Sequence, residues 1–203
     1  MMLPAAVLLL VTLATVGTDT AAGSSDQWGE LKLAWKAYRA EPTPRNAEHL
    51  YRLLPSKHRA DMDPELFMEF WGSLEWLEPR IMRGDKWATR IAFRFHAVSD
   101  AAFAEDLDEM LGRMIRPQPV LFLQELSANR ESYEDIGDIV LSYGTDAYAS
   151  SATPEKDYLA ELEERLATLR SLKLPNAKLR QSRDGCIRLL QKEIADRSRT
   201  ADN

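Results

Sequence analysis

Apolar residues recur along this chain at intervals of three and four, which places them on one face of an α-helix. The pattern is clearest in two segments, one carrying Trp28, Leu31, Trp35 and Tyr38 and the other carrying Leu159, Leu162, Leu166 and Leu169. No stretch of useful length alternates between apolar and polar residues, as a half-buried β-strand would. The pattern therefore predicts an all-α protein, in which Ile136–Tyr143 is a further short helix.

Capping residues and prolines mark the expected helix ends. A capping side chain followed by a proline, a frequent start of a helix, occurs at Thr43-Pro44, Asp63-Pro64 and Thr153-Pro154. We expect the second of these helices to reach Leu77, and Glu78-Pro79 to start a further short turn or helix that ends at Gly84. Three more helices are expected to be capped by Asp26, Asp85 and Ser99.

Three regions are expected after an N-terminal segment at 1–22: an α-helical domain at 26–142, a polar linker at 143–153 and a helical hairpin at 154–199. The short helices of the first region fit either an irregular bundle or a short array of stacked, HEAT-like hairpins, and no repeated motif separates the two. Matching apolar stripes predict that the last two helices form an antiparallel hairpin, packed on the main body or on a second copy.

The first 22 residues predict export. From Leu3 to Val16 the chain has no charge, and mostly small residues follow as far as Ser25. This length suits a secretory signal peptide cleaved after Ala22, and it falls short of the ~20 apolar residues of a membrane-spanning helix. No Lys or Arg precedes the apolar run, so an uncleaved membrane anchor and a buried N-terminal helix stay open as alternatives.

Cys186 is the only cysteine of the chain, so no intrachain disulfide can form. About 180 residues would remain after cleavage, which is enough to bury a core without disulfides. We expect a partly buried thiol on a helix, and the alternative is a disulfide between two chains. This cysteine usage suits a bacterial envelope or periplasm better than a disulfide-rich extracellular setting.

Charge is unevenly distributed along the chain. The formal net charge of −6 argues against nonspecific nucleic-acid binding. Residues 100–164 carry 16 acidic and 4 basic side chains, whereas residues 165–199 carry 3 acidic and 10 basic ones. These opposed blocks either attract each other, within one molecule or between copies, or lie on solvated helix faces. The basic block also suits contact with an anionic lipid or cell-wall surface.

The sequence contains no recognisable catalytic or metal-binding motif, since HExxH, CxxC, an EF-hand loop, GxSxG and both phosphate-binding glycine motifs are absent. His58, Asp61 and Asp63 could offer three metal ligands, but Asp63 is better explained as a helix cap. We therefore assign no catalytic residue, metal or cofactor and expect a non-enzymatic protein. A buried carboxylate–histidine pair at a pocket would instead favour a small secreted hydrolase with dispersed catalytic residues.

The best candidate for a binding surface is basic and aromatic. If the segment around Asp85 is helical, spacings of three, four and four place four cations on one stripe, with Trp87 in the adjoining sector: Arg83, Lys86, Arg90 and Arg94. Arg and Trp are enriched where proteins bind partners. The alternative is that Trp87 belongs to the core and that the arginines pair with acids of the following helix, Glu105, Asp106, Asp108 and Glu109.

These observations together predict an exported α-helical module of the bacterial envelope that binds a protein partner or a second copy of itself. Nucleic acid is not an expected partner, and any contact with a membrane is expected to be peripheral. The alternatives are the small hydrolase and a binder of anionic surfaces that uses residues 165–199.

Overall fold

Ten α-helices, and no β-strand, make up the part of the chain that the computed structural model describes. The described residues are 22–57, 59, 62–96, 98–130, 135–144 and 151–201. The all-α prediction is confirmed. The apolar run that predicts export lies outside these residues, so export stays a prediction. Within the described residues, no helix combines the length and the apolar character needed to cross a membrane.

The helices follow one another in the order α1 (Ala22–Ala40), α2 (Pro44–Leu53), α3 (Pro64–Trp71), α4 (Leu74–Met82), α5 (Lys86–His96), α6 (Ala101–Arg113), α7 (Pro119–Ala128), α8 (Gly137–Leu141), α9 (Pro154–Ser171) and α10 (Ala177–Ala201). All ten contribute residues to one connected cluster of buried apolar side chains. The fold is therefore an irregular helical bundle.

Three helix starts carry the capping side chain that the sequence predicts, and a fourth helix begins at Pro154 as expected, although the Thr153 side chain makes no capping hydrogen bond. Thr43 Oγ1 accepts a hydrogen bond of 3.3 Å from the N–H of Asn46, and Asp63 Oδ1 accepts one of 2.9 Å from that of Glu65. Asp85 caps α5 in the same way. Each cap satisfies an N–H group that the first turn of a helix leaves without a partner.

One expected helix is divided in two. Residues 64–77 form α3 and part of α4, which are separated by a turn at residues 72–73. The expected helix start at Pro79 is also wrong, because this proline lies inside α4. Its ring removes one backbone hydrogen bond, but Leu77 and Ile81 on either side are fully buried and hold the helix in place.

Two further starts are displaced from their expected caps. Helix α1 begins at Ala22, upstream of Asp26. Helix α6 is capped by Asp100, whose side chain accepts a hydrogen bond of 3.3 Å from the N–H of Phe103. The expected cap, Ser99, instead donates its hydroxyl to the carbonyl of the preceding helix's last residue, at 2.8 Å.

Aromatic rings tie the first helices together. The ring of Trp35, which has no exposed surface, makes edge contacts with Phe70 and Phe95 at centroid distances of 5.3 and 5.4 Å. Phe70 in turn stacks on Phe95 at 4.4 Å. These rings come from α1, α3 and α5, so each helix buries its aromatic stripe against the other two.

Helices α9 and α10 form the predicted antiparallel hairpin. Glu155 near the start of α9 lies 3.2 Å from Arg197 near the end of α10, and Tyr158 donates a hydrogen bond of 3.5 Å to Glu193. The acidic and basic blocks of the sequence therefore meet within one molecule. Helix α10 also packs against α7 and α8, where the Cys186 side chain is fully buried.

Candidate functional site

The predicted basic and aromatic residues of α5 lie where this helix packs against α2. The ring of Trp87 lies 6.2 Å from that of Tyr51, centroid to centroid. The guanidinium of Arg90 lies 5.1 Å above Trp87, and that of Arg94 lies 4.7 Å above Tyr51. The structure brings three of the predicted residues together and adds Tyr51, which no sequence pattern singled out because it lies on another helix.

Much of the positive charge on this surface is already engaged. Arg90 Nε lies 3.1 Å from Glu125 Oε1 on α7, and Arg94 Nη2 donates a hydrogen bond of 2.9 Å to the hydroxyl of Tyr51. The arginines therefore pair with α7 and α2, and not with the acids of α6. The two other predicted residues are exposed near the turn between α4 and α5: Arg83 and Lys86.

A larger candidate site is a cleft of about 1000 Å³ between α6, α8 and the hairpin, which we call the acidic cleft. Its lining includes the carboxylates of Glu105, Asp106, Asp108, Glu109, Asp135, Asp138, Glu193 and Asp196. Two cationic side chains, those of Lys192 and Arg197, also line it. Acidic side chains that converge on one concave surface produce a strongly negative potential there.

Several of these carboxylates are held by nearby donors. Asp108 Oδ1 lies 2.7 Å from Nε2 of His96, and Asp106 Oδ2 accepts a hydrogen bond of 2.5 Å from the indole N–H of Trp71. Asp135 accepts one of 2.7 Å from a backbone N–H at the start of α8. These contacts fix the positions of the acidic groups on the wall formed by α6 and α8.

The pKa of Asp138 is raised above its ordinary value. Loss of hydration raises this pKa, and the charges of Asp108 and Asp135 raise it further, while His96 opposes them. Each like charge makes ionisation of the next carboxyl less favourable. A bound cation would relieve this repulsion.

One wall of the acidic cleft is aromatic. The rings of Tyr143 and Tyr158 lie 5.5 Å apart. Burial and the charge of Glu193 raise the pKa of Tyr158 to about 12, so its hydroxyl is protonated at neutral pH. Arg197 lies 5.1 Å from the centre of the Tyr158 ring, which is an internal example of a cation–π contact. An aromatic wall beside carboxylates suits an organic cation.

The buried carboxylate–histidine pair that would favour a hydrolase is present beside this cleft. The side chains of His96 and Asp108 are 15% and 11% exposed. Asp108 lines the cleft, whereas His96 is not among the described residues that line it. Cys186 is no better placed for nucleophilic attack, because it is buried and its burial raises the pKa of the thiol to about 12.

Metal binding finds little support in the described part of the chain, where no group of three or more His, Cys, Asp or Glu side chains is placed to hold an ion. Of the three potential ligands in the sequence, Asp63 caps α3. The other two, His58 and Asp61, lie outside the described residues.

The sequence alone indicated some of the carboxylates of the acidic cleft. The carboxylates from α6 and α8 belong to the acidic block at 100–164, which is visible in the sequence. Glu193 and Asp196 come from the basic block at 165–199, and only the fold places them opposite α6.

No protein-family model, no curated protein and no solved structure matches this chain. The fold and its sites define an α-helical protein with a negatively charged cleft and a separate basic and aromatic surface.

Proposed function

We propose that the protein is an exported α-helical binding module whose acidic cleft receives a Lys- and Arg-rich segment of a partner protein. The observation that carries this proposal is the lining of the cleft, where eight carboxylates of the described residues face two cations. The volume of about 1000 Å³ lies at the upper end of the range for small-molecule sites. It therefore has room for several side chains of a peptide.

A multivalent ligand is required because each contact is weak. An exposed ion pair contributes about 0.2–1 kcal/mol, so a single ammonium group would be held poorly. A basic segment can pair with several carboxylates at once and place a cation against the half-buried ring of Tyr143. Glu105 and Asp138 are the best placed to act, because both are exposed and neither is held by a side-chain donor in the described residues.

Export is supported by the apolar run and the small residues after it, together with the single cysteine. Mass spectrometry of the N-terminus of the native protein tests this part. A chain that begins at Gly23 would support export with cleavage after Ala22. An intact Met1 on cytosolic protein would overturn it.

The binding test uses a fluorescein-labelled octalysine peptide and fluorescence anisotropy. The cleft variant is Glu105→Gln with Asp138→Asn. The matched control is Glu48→Gln with Glu75→Gln, which removes the same charge from two exposed positions outside the cleft. We expect the control to bind like the unaltered protein and the cleft variant to bind about tenfold more weakly, which corresponds to about 1.4 kcal/mol.

Two results would contradict the proposal. Equal affinities of the two double variants would mean that the peptide responds to net charge alone. Binding that does not weaken between low and high salt would exclude the electrostatic attraction on which the cleft depends. A competition experiment with spermine distinguishes a basic peptide from a small polyamine as the ligand. A cleft that is specific for a peptide retains octalysine when spermine is added.

A second candidate function, hydrolysis by acid–base catalysis, is supported by the 2.7 Å contact between His96 and Asp108. It requires the imidazole to reach a substrate, whereas Asp108 is the member of this pair that lines the cleft among the described residues. Assays with generic ester and glycoside substrates test it. Activity that disappears in His96→Gln, with the fold intact by circular dichroism, would favour catalysis over binding.

A further inference from the structure

A second cavity, of about 620 Å³, lies between the turn after α6 and the middle of α9, and we call it the arginine cavity. Its lining includes three guanidinium groups, one carboxylate and two hydroxyls, those of Arg113, Arg116, Arg165, Glu161, Tyr143 and Thr168. Tyr143 also lines the acidic cleft. The two cavities are neighbours with opposite chemistry.

Arg165 is fully buried, and its guanidinium is only partly satisfied. Nε lies 2.9 Å from Glu161 Oε1, and Nη1 donates a hydrogen bond of 2.9 Å to the carbonyl of Val140. Nη2 is buried as well and has no hydrogen-bond partner among the described residues. A buried cationic N–H group without an acceptor is unfavourable. An acceptor oxygen at this place would therefore be stabilised.

The two other guanidinium groups are at the opening of the cavity. The side chain of Arg113 is 42% exposed, and that of Arg116 is 49% exposed. Their partners in the structure are all glutamates: Glu78 and Glu109 for Arg113, and Glu161 and Glu164 for Arg116. Hydrated ion pairs of this kind are weak. Both arginines can therefore exchange a glutamate for a ligand that also satisfies Arg165.

We propose that the arginine cavity binds a compact oxyanion, a carboxylate or phosphate group carried by a small molecule, with Arg113 and Arg116 as its first donors and Nη2 of Arg165, uncovered by a shift of the lining side chains, as its innermost one. Guanidinium groups bind such oxygens through pairs of parallel N–H groups. Thr168 and Tyr143 add neutral hydroxyl donors on the same lining. Glu161, Arg165 and Thr168 share one face of α9, so a single helix presents the inner half of the site.

Isothermal titration calorimetry with inorganic phosphate and with succinate, at constant ionic strength, tests this proposal. Arg165 is unsuitable for the first variant because its loss could unfold the buried site. The cavity variant is Arg113→Gln with Arg116→Gln. Its matched control is Arg170→Gln with Arg188→Gln, which removes the same charge from exposed positions outside the cavity.

We expect phosphate or succinate to bind the unaltered protein and the control, and to bind the cavity variant at least about tenfold more weakly. Binding of phosphate alone identifies a phosphate-bearing ligand, and binding of succinate alone identifies a carboxylate-bearing one. Two outcomes would overturn the site: no binding of either anion up to about 20 mM, or equal binding by the two double variants. An ordered water alone beside Nη2, in a crystal grown with both anions, would also overturn it.

The test is independent of the proposed function. The cleft variant Glu105→Gln with Asp138→Asn leaves every donor of the arginine cavity in place. If that variant loses octalysine but keeps the anion, the two sites are separate. Failure of the anion titration would leave the peptide result unaffected.

Discussion

Arg165 Nη1 donates a hydrogen bond of 2.9 Å to the carbonyl of Val140, which joins the middle of α9 to the last turn of α8. The carbonyls at the end of a helix carry partial negative charge, so a cation is favourable there. Burial lowers the pKa of Arg165, and its contact with Glu161 opposes that effect. The hairpin is thus attached to the main body by a buried charge as well as by apolar packing.

Replacement of this arginine should destabilise the fold. Arg165→Ala removes a buried cation, leaves the Val140 carbonyl without this donor and opens a void, so we expect the free energy of unfolding to fall by about 3–5 kcal/mol. Urea denaturation followed by circular dichroism measures it. Arg170→Ala, at an exposed position of the same helix, is the control and should change stability by less than about 0.5 kcal/mol.

Two glycines offer a matched test of close packing. A Cβ at Gly112 would lie 2.6 Å from the carbonyl of Ile139 and 2.9 Å from Arg165 Nη1, whereas one at Gly29 would meet nothing within 4 Å. Gly112→Ala should therefore cost about 1–3 kcal/mol. Gly29→Ala, on the exposed face of α1, should stabilise the protein by about 0.5–1 kcal/mol. The melting temperatures of the two variants, measured by thermal unfolding, test this difference. Equal melting temperatures would contradict the close packing at Gly112.

Glu125 provides a prediction on pH. Burial raises its pKa above the ordinary value of 4.5, and Arg90 offsets this only in part. The native state therefore keeps a proton that the unfolded state has already lost, and stability falls as pH rises from about 4.5 through the raised pKa. The Glu125→Gln variant has no carboxyl to ionise at this position, so it does not undergo this decrease in stability. The free energy of unfolding of Glu125→Gln, relative to the unaltered protein, should therefore increase from pH 4 to pH 7.

Denaturant titrations at several pH values measure this difference. Glu163→Gln, at an exposed position, is the control and should show a difference that does not vary with pH. A flat difference for Glu125→Gln as well would mean that Arg90 compensates fully for the burial.

Cys186 should be unreactive while the protein is folded. Its side chain is fully buried, and burial raises the pKa of the thiol to about 12, so almost no thiolate exists at pH 8. We expect the reaction with a thiol reagent such as dithionitrobenzoate to follow global unfolding. Rapid labelling of the folded protein, or a disulfide-linked dimer under native conditions, would show that the thiol reaches solvent.

Local sequence predicted those features that depend on neighbours in the chain. Thr43, Asp63 and Asp85 cap helices because a side-chain oxygen can reach an N–H two or three residues ahead. The prediction at Pro79 was wrong because contacts outside the local sequence decide the structure there. A proline is read as a helix start, but burial of Leu77 and Ile81 stabilises a helix that continues through it.

The candidate sites were predictable only in part, because their residues come from different helices. Arg90 and Arg94 were placed on one stripe by their spacing, but their partners Glu125 and Tyr51 lie 35 and 43 residues away in sequence. Nothing in the local sequence indicates such a pair.

The sequence by itself determined the all-α class, the hairpin of α9 and α10 and most helix ends, because periodicity and capping act over a few residues. Only the tertiary structure decided which charged side chains converge. It places Asp108 of α6 and Glu193 of α10 on one acidic cleft, and it buries Arg165 with an Nη2 that has no hydrogen-bond partner in the described part of the chain. Helix packing is set by the shapes of the apolar faces, and it brings polar groups together without regard to their distance along the chain.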